Sequence, residues 1–161
     1  MTDPRPVCTE KTQDIIKTLR SNAQVEAALE LAVKQQEKRI ADQIILTETP
    51  APPFHEEERA KVLLGMFKQY GLTDVKQDAI GNVIGAHIDT VFPAGTDCKV
   101  HRDGDVYAAP GISDDAAGLA SMLQVIRCLN ENNIETVGDI VFVGTLGEEG
   151  NGDLRGCKAL F

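Results

Sequence analysis

Inside the segment Asp139–Leu146, the run Ile140-Val141-Phe142-Val143 is apolar at four successive positions. Side chains along a strand point to opposite faces in turn, so a strand with one wet face alternates in polarity. A strand apolar on both faces needs cover on both, as parallel strands have between layers of helices. Directly after it comes Gly147-Glu148-Glu149-Gly150. That is the carboxyl end of the strand, where open α/β sheets bind ligands. The run therefore predicts an α/β domain, a mostly parallel sheet flanked by helices, with an acidic pair at the sheet's functional edge.

The rest of the chain supplies the helices. From about Lys11 to Leu46 the pattern is helical in two pieces, with Ile15, Ile16 and Leu19 on one face and Val25, Leu29 and Val33 beginning another. Ile40, Ile44 and Ile45 continue it. Pro50, Pro52 and Pro53 end this N-terminal helical segment, since proline lacks an amide donor and restrains its predecessor. His55 to Tyr70 is again amphipathic, with Glu56, Glu57 and Glu58 suited to the helix dipole and Gly71 placed to follow the C-cap. Asp74–Asp78 and Asn82–Ile88 read as short strands around a Gly-Asn turn. Lys99–His101 and Val106–Ala108 read as a hairpin about Asp103-Gly104. A last helix spans Asp114–Asn130, capped by Ser113 or Asp114.

Composition narrows the function. The 161 residues carry 16 Lys+Arg against 25 Asp+Glu, a net charge of −9, which offers nucleic acid no basic stripe. No apolar run approaches the roughly 18 residues of a membrane span. The amino terminus lacks the apolar core of a secretory signal, and Cys8, Cys98, Cys128 and Cys157 form no CxxC pair. The expectation is a cytoplasmic protein with reduced thiols.

Three polar clusters stand beside apolar segments. His87-Ile88-Asp89 places an imidazole and a carboxylate on the same side of a strand, a pairing in which the carboxylate orients a metal-binding histidine. His101-Arg102-Asp103 has the same spacing on an exposed hairpin, so the triplet alone is weak. Gly111-Ile112-Ser113-Asp114-Asp115 opens a helix, where Asp either caps or projects a carboxylate toward cations. Glu148-Glu149 is either a solvated acidic loop or a split pair, one member binding metal and the other moving a proton. A structural module without a site explains each cluster but not their joint order.

Five segments carry a family resemblance: Ile44–Glu57, Gly71–Gly85, Ala86–Gly95, Ala109–Gly118 and Asp139–Phe161. In these the chain resembles the co-catalytic dinuclear zinc exopeptidases and deacylases, the family of tripeptide aminopeptidase (peptidase T), carboxypeptidase G and aminoacylase. The resemblance implies two divalent ions, Zn2+ first and Co2+ or Mn2+ next, and hydrolysis of short peptides. It implies that His87 binds the first metal with Asp89 orienting it, Asp114 bridges both, and Glu149 binds the second. Glu148 is then the general base, and Asp115 has a supporting role. A deacylase acting on N-acyl amino acids is the alternative within the family.

The chain departs from that family in two places. Members carry a further acidic ligand and a histidine downstream, and an inserted lid or dimerisation domain; none of these is in the 161 residues. Val83-Ile84-Gly85 also runs directly into Ala86-His87, where members place a loop and a second apolar strand, so a deletion is read there. Residues 1–9 are expected to be a mobile tail, and 10–161 the N-terminal part of an incomplete zinc-exopeptidase-like catalytic domain. Each metal then has at most two protein ligands, fewer than zinc usually takes. The isolated chain is accordingly expected to be inactive, with a non-enzymatic role as the other class of function. A homodimer is expected only of a full-length version.

Overall fold

The computed structural model describes residues 9–79, 81–85 and 87–161. The expected tail falls almost wholly outside that range, as does Ala86 at the proposed deletion.

The N-terminal segment forms three helices: α1 (Glu10–Arg20), α2 (Ala23–Lys34) and α3 (Gln36–Glu48). Two of them start at side-chain caps. Thr9 accepts from the Thr12 amide, and Asn22 accepts from the amides of Gln24 and Val25. Neither α1 nor α2 buries a residue fully, and Ile15, Ile16 and Leu19 stay exposed. In α2 the half-buried positions are Val25, Ala28, Leu31 and Ala32, a face rotated from Leu29 and Val33, which are exposed. Periodicity located an apolar stripe correctly in kind, but packing against α5 selected a neighbouring one.

After the prolines, α4 (Glu57–Gln69) buries Ala60, Leu63, Met66 and Phe67. Gly71 follows its C-cap at φ +87°, as expected. The next long helix, α5 (Ala116–Glu131), begins later than predicted. Its N-cap is Asp115, which accepts from the Gly118 amide, rather than Ser113 or Asp114. The core joins α3, α4, β1 (Val83–Gly85) and α5 through Leu46, Leu63, Phe67, Val83, Leu119, Leu123 and Ile126. A buried ion pair, Arg127 on Asp42, ties α5 to α3, and the Tyr70 hydroxyl donates to the same carboxylate at 2.7 Å.

The protein is thus a mixed helix-and-sheet structure, but its sheet corrects the expectation of a parallel one. β1 pairs antiparallel with β4 (Val143–Gly144), and β2 (His101–Asp103) pairs antiparallel with β3 (Val106–Ala108). A parallel contact is the isolated bridge between His87 and Thr145. The run that reads as buried on both faces is not: Ile140 is 50% and Val141 68% exposed. Among the described residues β4 has only β1 beside it, so nothing covers the outer part of the run. Asp74–Asp78 forms no strand and contributes a single bridge, Gln77 to Val83. Beyond β4 the chain makes a 3-10 turn at Gly150–Gly152 and ends in the short helix α6 (Arg155–Leu160), neither of which the sequence pattern predicts.

Candidate metal centre

The site begins with the residue between the histidine and the aspartate. Ile88 is fully buried in the core, and its backbone is held at both ends. Its amide donates to the Thr145 carbonyl at 2.9 Å. Its carbonyl accepts from Arg59 Nη1 at 2.9 Å, while Arg59 Nε donates to the Thr49 carbonyl at 2.7 Å. With Ile88 turned into the core, the alternation of an extended chain sends His87 and Asp89 to the opposite side. Arg59 is buried as well. Burial pulls its pKa down to about 10, opposed by negative groups that include Asp89, so it stays charged at neutral pH.

Asp89 is fully buried, which a carboxylate tolerates only with strong partners. Its two oxygens accept from the amides of Glu148 and Glu149, at 3.1 and 2.8 Å. Hydrogen bonds to an ionised acceptor are roughly twice as strong as neutral ones. Asp89 therefore anchors the backbone of the acidic pair. Its carboxylate lies 3.9 Å from His87 Nδ1; the ring nitrogen instead faces the Asp89 backbone carbonyl at 3.1 Å. The spacing in sequence pairs ring and carboxylate directly; in the fold the carbonyl orients the ring and the carboxylate serves the glutamates.

The other ring nitrogen, Nε2, lies 2.9 Å from Asp114 Oδ1 and 3.9 Å from Asp115 Oδ2. Both ring nitrogens thus face acceptors. Burial disfavours the imidazolium, but the hydrogen bond to Asp114 and the charges of Asp115, Asp89 and Asp114 outweigh it and raise the His87 pKa. Asp114 is an exposed side chain, whereas Asp115 is held by its capping bond, at 3.0 Å to the Gly118 amide. The Asp114–Asp115 peptide is cis. Gly111 lets this segment approach: at φ +73° a Cβ there would stand 2.8 Å from Thr90 Cγ2.

The acids crowd one another. Burial raises the Asp115 pKa, with the charges of Asp114 and Glu148 adding to it. Burial likewise raises that of Glu149, helped by Asp114, Glu148 and Asp89. Two groups bring their ligand atoms within 4.8 Å of one another: His87, Asp114 and Asp115, and His87, Glu148 and Glu149. One imidazole between two sets of repelling carboxylates is a donor set that suits zinc or a harder divalent ion, and a cation there relieves the repulsion. All five residues singled out in the sequence, His87, Asp89, Asp114, Glu148 and Glu149, thus meet in one place. His101 does not; it lies exposed on β2.

Residues 83–161, which hold every one of these side chains, match the model of Peptidase family M20/M25/M40. An uncharacterised protein of Bacillus subtilis (strain 168), YqjE, is 33% identical over 150 residues, covering 77% of this chain. The match takes in 39% of that relative, so the chain spans about two fifths of its length.

Three supporting groups escaped the sequence reading. Arg59 reads in sequence as one more charged residue of an amphipathic helix. Glu56 suits the helix dipole in sequence, yet it is buried, accepts from the Phe54 amide at 3.0 Å and pairs with Arg155 beside the acidic loop. Asn82 reads in sequence as half of a turn. Each owes its role to partners remote in sequence, and local pattern carries no signal for them.

Proposed function

We propose that the protein hydrolyses peptide bonds in short peptides, in the manner of an aminopeptidase or tripeptidase, with two divalent ions held at this centre. The observation that supports it is the convergence on His87 of two carboxylate pairs, one of them fixed through its backbone by buried Asp89. His87 would hold one ion, Asp114 would bridge both, and Glu149 would hold the other; Zn2+ suits the set, as do Co2+ and Mn2+. A divalent ion bound there polarises a scissile carbonyl and lowers the pKa of water.

The chain's own groups have distinct tasks. Glu148 is exposed, so its carboxylate is free to take a proton from the attacking water and deliver it to the leaving amine. Asp89 holds the Glu148 and Glu149 backbone through both steps. Asp115, by capping α5, fixes the segment that presents Asp114. The substrate is a short peptide in the cytoplasm; no helix among the described residues is long and apolar enough to cross a membrane.

The test is calorimetric uptake of Zn2+, Co2+ or Mn2+ by the full chain, then hydrolysis of a tripeptide panel. Uptake lost in Asp114→Ala, and loss in Glu148→Gln of whatever metal-dependent hydrolysis the chain supports, with uptake retained, are the expected results. Absence of uptake overturns the metal centre. Uptake without hydrolysis removes the enzymatic reading for this chain. Cleavage of N-acyl amino acids in place of tripeptides shifts the substrate to the deacylase class.

A further inference from the structure

The two glutamates ride on a loop whose ends meet. At its neck the Gly156 amide donates to the Leu146 carbonyl at 2.8 Å. One side chain from elsewhere in the sequence also spans that neck. Asn82, immediately before β1, accepts from the Leu146 amide through Oδ1 at 3.1 Å and donates from Nδ2 to the Gly156 carbonyl at 3.2 Å. The second Nδ2 hydrogen goes to Asp78 Oδ2 at 2.7 Å. Asp78 Oδ1 accepts from the amides of Gly81 and Asn82, each at 2.9 Å, so the clamp is itself pinned.

Nothing but a primary amide satisfies this arrangement. The site needs one acceptor and two donors on a side chain of this length, in a place that is 2% exposed. Aspartate lacks the donors and would set a carboxylate against Asp78. Nor has the neck room to slip: a Cβ on Gly156 would lie 2.3 Å from Asn82 Oδ1 and 2.4 Å from the Leu146 amide nitrogen. Inside the neck, Gly147 lies against Arg155, whose Nη1 would be 2.1 Å from a Cβ at that position.

We propose that Asn82 is a positioning residue for Glu148 and Glu149, setting their distance from His87 by closing both ends of the loop that carries them. The proposal deepens the reading of these glutamates as groups of a metal centre and rests on it. Asn82 touches neither glutamate and acts on them only through the backbone at Leu146 and Gly156. Its effect should therefore appear at the Glu148 and Glu149 amides, which Asp89 receives, and in metal affinity.

The experiment compares the full-chain variants Asn82→Asp, Asn82→Asp with Asp78→Asn, and Ile126→Ala, a core change in α5 outside the loop and the clamp. Amide hydrogen exchange and Zn2+ calorimetry are read well below each unfolding midpoint. In Asn82→Asp the Glu148 and Glu149 amides should exchange about tenfold faster relative to those of α4, with Zn2+ affinity about 10- to 100-fold weaker, as for other groups that orient ligands. Adding Asp78→Asn restores the donor–acceptor contact at residue 82 and should recover part of both. Ile126→Ala should lower the midpoint and change neither. Should Asn82→Asp fail to fold, Asn82→Ser, which reaches neither end of the neck and buries no charge, should give the same two shifts. Exchange and affinity that follow global stability alike in the Asn82 and Ile126 variants would overturn the proposal. A wild-type chain that takes up no Zn2+ overturns the metal centre instead, and the exchange comparison then still decides whether Asn82 sets the loop.

Discussion

The chain contains the triplet His-x-Asp twice, and the two copies have opposite fates. His87-Ile88-Asp89 is built into the core: its middle side chain is buried, its aspartate carries the amides of two glutamates, and its histidine faces Asp114. His101-Arg102-Asp103 is exposed at all three positions. Arg102 there reaches the carbonyl of Gly104 and the ring of Tyr107, contacts confined to its own hairpin. Identical spacing yields a site only where the middle residue is apolar and has a core to enter. Burial of that residue turns its neighbours toward one side and fixes them there.

Position-by-position substitution can break this contrast. The largest effect is expected at the aspartates. Asp89→Ala strands two amides that now donate to a charged acceptor, and each unpaired buried donor costs about 1–3 kcal/mol. Urea unfolding should show a loss of roughly 3 kcal/mol for Asp89→Ala, against less than about 0.5 kcal/mol for Asp103→Ala on the surface. Equal losses would mean that the two triplets are equivalent after all.

At the middle position the expected effect is smaller. Ile88→Val removes one buried methylene and should cost about 1 kcal/mol, whereas Arg102→Lys should be neutral in the same assay.

The smallest effect concerns the metal-free histidine. With both ring nitrogens facing acceptors, His87 should titrate above the ordinary imidazole value of 6.5 when followed by NMR. A raised folded pKa means that the native state holds its proton longer than the unfolded chain. The resulting stability is present in full below the unfolded value and is lost as pH rises through the folded one. A His87 that titrates below 6.5 would contradict the pairing with Asp114.

Much of this was legible in the sequence, for identifiable reasons. The helices α4 and α5 follow from 3.6-residue periodicity because both bury the stripe it marks. Ile15, Ile16 and Leu19 mark a stripe just as clearly, yet among the described residues nothing buries that face of α1, and periodicity does not say what lies opposite. The apolar run at Ile140–Val143 names a strand that wants two neighbours; pairing is a property of other segments, and among the described residues β1 alone provides it. His87, Asp114, Glu148 and Glu149 were readable because each belongs to a short polar motif at the end of an apolar element. Asn82 was not. Beside Gly81 it has the look of a turn residue, and its partners Leu146 and Gly156 lie far along the chain.

The central claim is that one triplet belongs to a divalent-metal centre and the other does not. Calorimetric titration of Zn2+ into the full chain and into His87→Ala and His101→Ala tests it directly. Binding weakened at least about 100-fold in His87→Ala and unchanged in His101→Ala is the predicted result, loss of a direct ligand costing no less than loss of the groups that orient one. Binding that survives His87→Ala, or falls equally in both variants, would contradict the account.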